Sequence, residues 1–352
     1  MLDQLLKRAN LITRLRGAWR HDADEALKPL RKELRRLTRE VEELRTLLQD
    51  TSVRATRGDR NAAQLRMIAE LNDQQQRELA ALPAVLDTQQ LTTNVRNAIA
   101  TATMRADPFH HIVVERLLPP RVYDLLLQAL PASVFFSEHD AVKQDLPLPL
   151  TFGPSLATAV WNFVDDALAR QMIQPAVLDK FHEPLQQHYE TIFGAEFVER
   201  ANQMPHLPSG GRLMLRRPGY HLEPHRDPKR SLLTCLLYLA RPGDSDAHGT
   251  QLFRVADDND APFKQTYYPK DHGHPCELAG MVPFRPNTML VFLNSRGAHG
   301  ATIPADAPPE TERYTYQFYV APENAALGAL IRELPAERRT MWQNRNRLAA
   351  GT

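Results

Sequence analysis

Cysteine is scarce in this chain: Cys235 and Cys276 are its two thiols. That excludes a disulfide framework and fits a reducing compartment. No run of about 18 apolar residues occurs, so no transmembrane helix is expected. The first residues are broken by Asp3, Lys7 and Arg8 and lack the continuous apolar core of a signal peptide. A cytoplasmic protein is the expectation. Neither sign of charge prevails. The formal net charge is +1 over 352 residues, so there is no broad polyanion footprint, and a nucleic-acid partner is not expected. Proline and aromatic residues are almost missing from the first hundred positions, where Pro29 is the one proline before Pro83. This region therefore differs in kind from the rest of the chain.

Its patterning is helical. Leu27, Leu30, Leu34, Leu37, Val41, Leu44 and Leu48 alternate by three and four without a break. That is the a/d seam of a left-handed coiled coil, with Glu33 and Glu40 at g and Arg31 and Arg45 at e. The seam predicts self-association into a dimer or higher oligomer; packing on the chain's own next domain would use the same stripe. Pro29 marks the first turn of that helix. Residues 1–20 form a second amphipathic segment, with Leu2, Leu5, Leu6, Ala9, Ile12, Leu15 and Trp19 on one side. Lys7, Arg8, Arg14, Arg16 and Arg20 make it basic, as suits peripheral contact with an anionic membrane or a place in a helical bundle. A further helix is expected from Asn61 to Leu82, ended by Pro83. The predicted organisation is amphipathic and coiled-coil helices over 1–50, a helical linker over 51–104, a mainly β domain over 105–322 and a helical tail over 323–352.

The β domain carries the chemistry-bearing residues. Ser231–Leu239 and Asn287–Leu293 read as buried strands, Gly249–Val255 as a half-exposed one, and Arg313–Val320 as a strand by its β-branched and aromatic content. Helical apolar faces lie between them and the linker: Ala157, Val160, Trp161, Val164 and Leu168, then Leu178, Phe181, Leu185, His188 and Tyr189. His225 and Asp227 stand two apart, so in an extended segment both side chains share a face. His299 would come from another strand. Two imidazoles and one carboxylate can take three adjacent positions on Fe(II) and leave others open. His221 and Glu223 have the same spacing and compete as the first ligand pair. Asp271-His-Gly-His-Pro-Cys276 holds His272, His274 and Cys276, but its spacing fits no firm metal template. A loop over the site is the preferred reading there.

These residues fall in an order that resembles the 2-oxoglutarate/Fe(II) oxygenases, most closely the prolyl 4-hydroxylase-like branch. The carriers are Pro218-Gly219, His225-x-Asp227, Tyr238-Leu239, Gly249 to Phe253, His299-Gly300 and Arg313-x-Thr315, with Asp107–Pro120 as the opening strand and helix. The resemblance covers roughly 105–322 and implies a double-stranded β-helix, or jelly roll, with buttressing helices. It implies Fe(II) on His225, Asp227 and His299, 2-oxoglutarate as co-substrate, O₂, and ascorbate as an accessory reductant. Arg313 would hold the far carboxylate of 2-oxoglutarate by its planar fork. Thr315 would add a hydroxyl, and Tyr238 would line the same pocket or serve the core. The implied reaction couples oxidative decarboxylation of 2-oxoglutarate to hydroxylation of a C–H bond, giving succinate and CO₂. Asp227 favours hydroxylation, since related halogenases lack the carboxylate. Peptidyl side chains, sugars and lipid-linked small molecules are the candidate substrates. The alternative is a coiled-coil scaffold with a ligand-binding but inactive oxygenase-like domain.

Overall fold

A computed structural model of the chain describes residues 58–137, 140–256 and 265–340, with Arg39, Glu42 and Trp342. The chain divides into two compact units, residues 1–65 and 66–352. The coiled-coil seam and the basic segment of residues 1–20 lie outside the described residues. In the first unit, residues 58–65 are helical.

The second unit opens with helix. The helix expected to stop at Pro83 runs through it, over Gln76–Val85. Proline disrupts a helix interior by removing an N–H and crowding the carbonyl four residues back. Here the helix has only two residues left to run. Thr88–Thr101 follows, its N-cap Asp87 accepting the backbone N–H of Gln89 and Gln90. Leu91, Val95 and Ile99, four apart, bury one stripe.

Ten described strands follow: β1 His111–Glu115, β2 Lys143–Pro147, β3 His206–Arg216, β4 His221–His225, β5 Leu233–Tyr238, β6 Thr250–Val255, β7 Cys276–Val282, β8 Thr288–Leu293, β9 Ala298–Thr302 and β10 Arg313–Pro322. They form two antiparallel sheets, in the orders β1-β8-β5-β10-β3-β2 and β4-β9-β6-β7. This is the mainly β architecture that the strand patterns predicted, and it is consistent with the jelly roll that the resemblance implied. β2 and β7 were not anticipated. β2 is short and polar, β7 is mostly apolar but interrupted by Glu277 and Gly280, and each takes its conformation from pairing along a neighbour, β2 on β3 and β7 on β6.

Helices cover one face of the six-stranded sheet. Ser155–Phe163, a π-helical stretch Val164–Ile173, Gln174–Lys180 and His182–Phe193 share a core with the alternate residues Tyr314, Tyr316 and Phe318 of β10. Trp161 is fully buried, donates from its indole to the Ala129 carbonyl at 2.8 Å and lies 6.1 Å from the Tyr316 ring. The Tyr316 hydroxyl donates to Asp165. With one face of β10 committed to that core, Arg313, Thr315 and Gln317 must point to the other. β10 lies between β3 and β5, so Arg313 stands on an interior strand.

Candidate metal centre

β4 ends at His225, directly opposite His299 on β9. Their rings lie 4.2 Å apart, centroid to centroid. Asp227 comes next as the chain leaves β4. Its two oxygens stand 3.7 Å from His225 Nε2 and 3.7 Å from His299 Nε2. One potential ligand atom from each residue falls within 4.8 Å of the others, and all three side chains are buried. Among the described residues this is the single group of metal-ligating side chains so arranged.

The competing pair is resolved by a register shift. His221 and Glu223 are exposed, and the His221 ring bonds to the Thr302 hydroxyl at 3.0 Å. The pairing of β4 with β9 slips between Leu222 and His225. That irregularity turns His225 inward while the earlier histidine of equal spacing stays outside. His272 and His274 fall on a 3₁₀ turn and the loop before β7 and join no metal-ligating group. No residue of 271–276 lines the cavity; Thr266 and Tyr268, just before that segment, do.

Hydrogen bonds and burial hold the trio as a metal requires. His225 Nδ1 lies 2.9 Å from the Glu223 carbonyl, so that nitrogen carries the proton and Nε2 offers its lone pair. Burial pushes His299 down to about 3, with His225 adding to the effect and Asp227 opposing it, so its imidazole is neutral. Burial opposes ionisation of Asp227, but His299, His225 and the Thr234 hydroxyl outweigh it and hold the carboxyl below its usual range. Thr234 donates to Asp227 at 2.7 Å, and Asn294 donates to Thr234 at 2.8 Å. Tyr319 donates to the other Asp227 oxygen at 3.4 Å. Gly300 permits the close approach of the two strands: a Cβ there would meet the Leu222 carbonyl at 2.7 Å.

One cavity of about 260 Å³ is lined by the trio and by residues of the other sheet, among them Arg212, Arg216 and Arg313. Lys143, Arg216 and Arg313 form a row across β2, β3 and β10, each directly opposite the next. Like charges so placed repel. Asp145 pairs with Arg216 at 2.7 Å. Arg313, 4 % exposed, has no carboxylate partner among the described residues. Its Nε donates to the His248 carbonyl at 2.6 Å, and its guanidinium lies against the Tyr238 and Phe284 rings at 5.5 and 5.1 Å. Burial lowers its basicity, and Arg216 adds to that. A buried cation without a counter-charge is costly and calls for an anion. Tyr238 stands behind this wall and donates to Thr250, which lines the cavity. Thr315 is fully buried on the same strand, its hydroxyl without a partner.

The donor set therefore fits a divalent metal of the Fe(II) type, and the cation row fits an anionic co-ligand. Sequence reasoning missed Thr234, Asn294, Thr250, Arg216 and Lys143. The alternation Arg212-x-Met214-x-Arg216 was the available signal for one of them.

No family model matches the sequence, and no curated protein matches it. Solved structures do. A prolyl-4-hydroxylase from Pseudomonas putida is similar over 66 % of this chain and 99 % of its own, with 13 % identity and a TM-score of 0.35. An oxidoreductase of the 2OG-Fe(II) oxygenase family from Burkholderia pseudomallei is similar over 67 % and 91 %, with 10 % identity and a TM-score of 0.34. HygX from Streptomyces hygroscopicus, solved with nickel and 2-oxoglutarate bound, is similar over 61 % and 83 %, with 14 % identity and a TM-score of 0.35. The structural likeness is to 2OG-Fe(II) oxygenases, a prolyl-4-hydroxylase among them.

Proposed function

We propose that this chain is an Fe(II)- and 2-oxoglutarate-dependent dioxygenase. It hydroxylates an unactivated C–H bond of a peptidyl side chain or of a sugar or lipid-linked small molecule, with release of succinate and CO₂. One observation carries the reading. A single cavity holds a His–Asp–His trio and a buried guanidinium that has no carboxylate partner among the described residues. A hydrolytic metal site needs the trio but not the guanidinium.

His225, Asp227 and His299 would hold the metal. Arg313 would take the far carboxylate of 2-oxoglutarate, with Thr250 beside it and Tyr238 holding the Thr250 hydroxyl in place. Thr315 is a further hydroxyl on the same strand face. When bound, the iron and the keto acid supply O₂ activation and C–H oxidation. The protein's part is to position and to exclude water. Thr234 and Asn294 fix Asp227, the Glu223 carbonyl fixes the His225 tautomer, and apolar Leu236 and Met214 close the wall between the two charged ends.

The deciding experiment adds Fe(II) and 2-oxoglutarate to the protein without oxygen and records the visible charge-transfer band of the chelate. A band that His225→Ala loses, and that Arg313→Ala shows only at higher 2-oxoglutarate, is the expected result. No band under any condition would sink the proposal. Self-association through residues 1–50 and membrane contact by residues 1–20 remain part of it, to be tested by sedimentation and by binding to anionic vesicles. Among the described residues no helix is long and apolar enough to cross a membrane.

A further inference from the structure

The cavity holds more positive charge than the proposed metal and co-substrate would consume. Its lining carries four cations, Lys143, Arg212, Arg216 and Arg313, against two carboxylates, Asp145 and Asp227. Fe(II) adds two positive charges and 2-oxoglutarate two negative ones, so loading both leaves the excess unchanged. Arg216 has Asp145, and Arg313 is assigned the far carboxylate. Arg212 and Lys143 remain without a carboxylate partner among the described residues.

Arg212 is the better placed of the two. It sits on β3 opposite Gln317 of β10, half-buried, on the face that also carries Met214 and Arg216. Its Nη2 donates to the Gln317 side-chain oxygen and, at 3.4 Å, to the Tyr319 hydroxyl. Both acceptors are neutral. Its Nε is buried and finds no partner. The Tyr319 hydroxyl donates onward to Asp227. The guanidinium is thus two hydrogen bonds from a proposed metal ligand, held in orientation by neighbours that leave its charge uncompensated. A partly desolvated guanidinium in that condition binds carboxylate or phosphate groups best, through its fork.

We infer that the hydroxylated substrate carries an anionic group, carboxylate or phosphate, which Arg212 binds beside the metal with Lys143 adding charge at the cavity wall. The inference rests on the oxygenase reading of the same cavity. It narrows the substrate from any peptide, sugar or lipid-linked molecule to an acidic one. It also gives Arg212 a positioning role distinct from that of Arg313, since the two stand on different strands and Arg212 has its own hydrogen-bond link to Asp227 through Tyr319.

The test uses the full chain and two probes, inorganic phosphate and acetate, with chloride at matched ionic strength as control. In the anaerobic Fe(II)·2-oxoglutarate complex, one or both probes should perturb the charge-transfer band saturably. The probe that does so at lower concentration tells a phosphoryl from a carboxyl substrate. Arg212→Met should weaken that response by about tenfold, and move half-saturation by 2-oxoglutarate less than about twofold. An unchanged probe response in Arg212→Met would overturn the inference. So would a rise in 2-oxoglutarate half-saturation matching that of Arg313→Met, which would give Arg212 to the co-substrate. Should no band form at all, the oxygenase reading has failed, and calorimetry of phosphate binding to the metal-free protein still decides the anion site. Binding reduced in Arg212→Met supports it; binding equal to wild type removes it. Arg212→Gln, which keeps a hydrogen-bonding head without the charge, serves if Arg212→Met does not fold, with the same outcomes.

Discussion

The two sheets divide the work unequally. The six-stranded sheet is buttressed by helices, and its strands β5 and β8 are buried along their whole length. It supplies the cations Lys143, Arg212, Arg216 and Arg313. The four-stranded sheet is thin. β7 leaves Leu278 and Met281 exposed, and the apolar cluster around Ala301 is small. Yet this sheet supplies both histidines of the trio. A well-packed wall holds the proposed anion-binding groups where they repel one another. A lighter wall holds the proposed metal ligands, which metal binding would itself tie together. Stability and metal affinity should therefore separate by sheet.

The largest expected effect lies in the helical layer. Trp161→Ala should cost about 3–5 kcal/mol in denaturant unfolding, because it empties a fully buried volume and orphans the Ala129 carbonyl. Metal affinity of the fraction that still folds should stay near wild type; a large loss of affinity would break the division. His299→Ala should do the reverse. Metal affinity, read by equilibrium dialysis, should fall more than about a hundredfold, or ~3 kcal/mol, with the far-UV spectrum kept.

A pH test sharpens the stability side. His188, in the helical layer, is buried and pushed down to about 3 by its burial, with Lys229 and Arg226 adding to the effect. The unfolded chain binds this proton below about 6.5 and the folded one only near 3, so stability is full above that window and falls as the pH drops through it. The difference in melting temperature between His188→Leu and wild type should shift in favour of the variant from pH 6.5 towards pH 4. A constant difference would remove this group from the acid response.

Two smaller effects are expected, one at the trio and one at the surface. Thr234→Val keeps shape but removes the hydroxyl from Asp227 and should lower metal affinity by about tenfold, read by competition with a chelating dye. At the bottom of the scale, Arg254→Ala on β6 breaks only an exposed pair with Asp107 and should leave the melting temperature unmoved.

The contrast between the sheets was partly legible along the chain. The alternation of Arg313, Thr315 and Gln317 against Tyr314, Tyr316 and Phe318 already gave β10 two faces, and the structure adds which of them meets the helices. The spacing of His225 and Asp227 was legible, but the same spacing at His221 and Glu223 was equally legible. A slip in pairing with β9 separates them, and no local signal marks it. Thr234 and Asn294 looked like ordinary strand and turn residues, since their role is contact with a carboxylate brought in from another segment. Lys143 gave no hint at all, because β2 is defined by its partner.

What the sequence determined by itself was local and periodic: alternation along strands, the buried runs, the order of the motif residues and the apolar faces of the helices. These are set by neighbouring residues through fixed backbone geometry, with a period of two in strands and 3.6 in helices. What only the tertiary structure decided was register. The facing of His225 and His299, the cation row Lys143–Arg216–Arg313 and the lack of a carboxylate partner for Arg212 and Arg313 among the described residues all depend on which residue of one strand lies opposite which of the next. That is settled by packing the whole sheet at once, and a one-residue slip would send every one of these side chains to the other face.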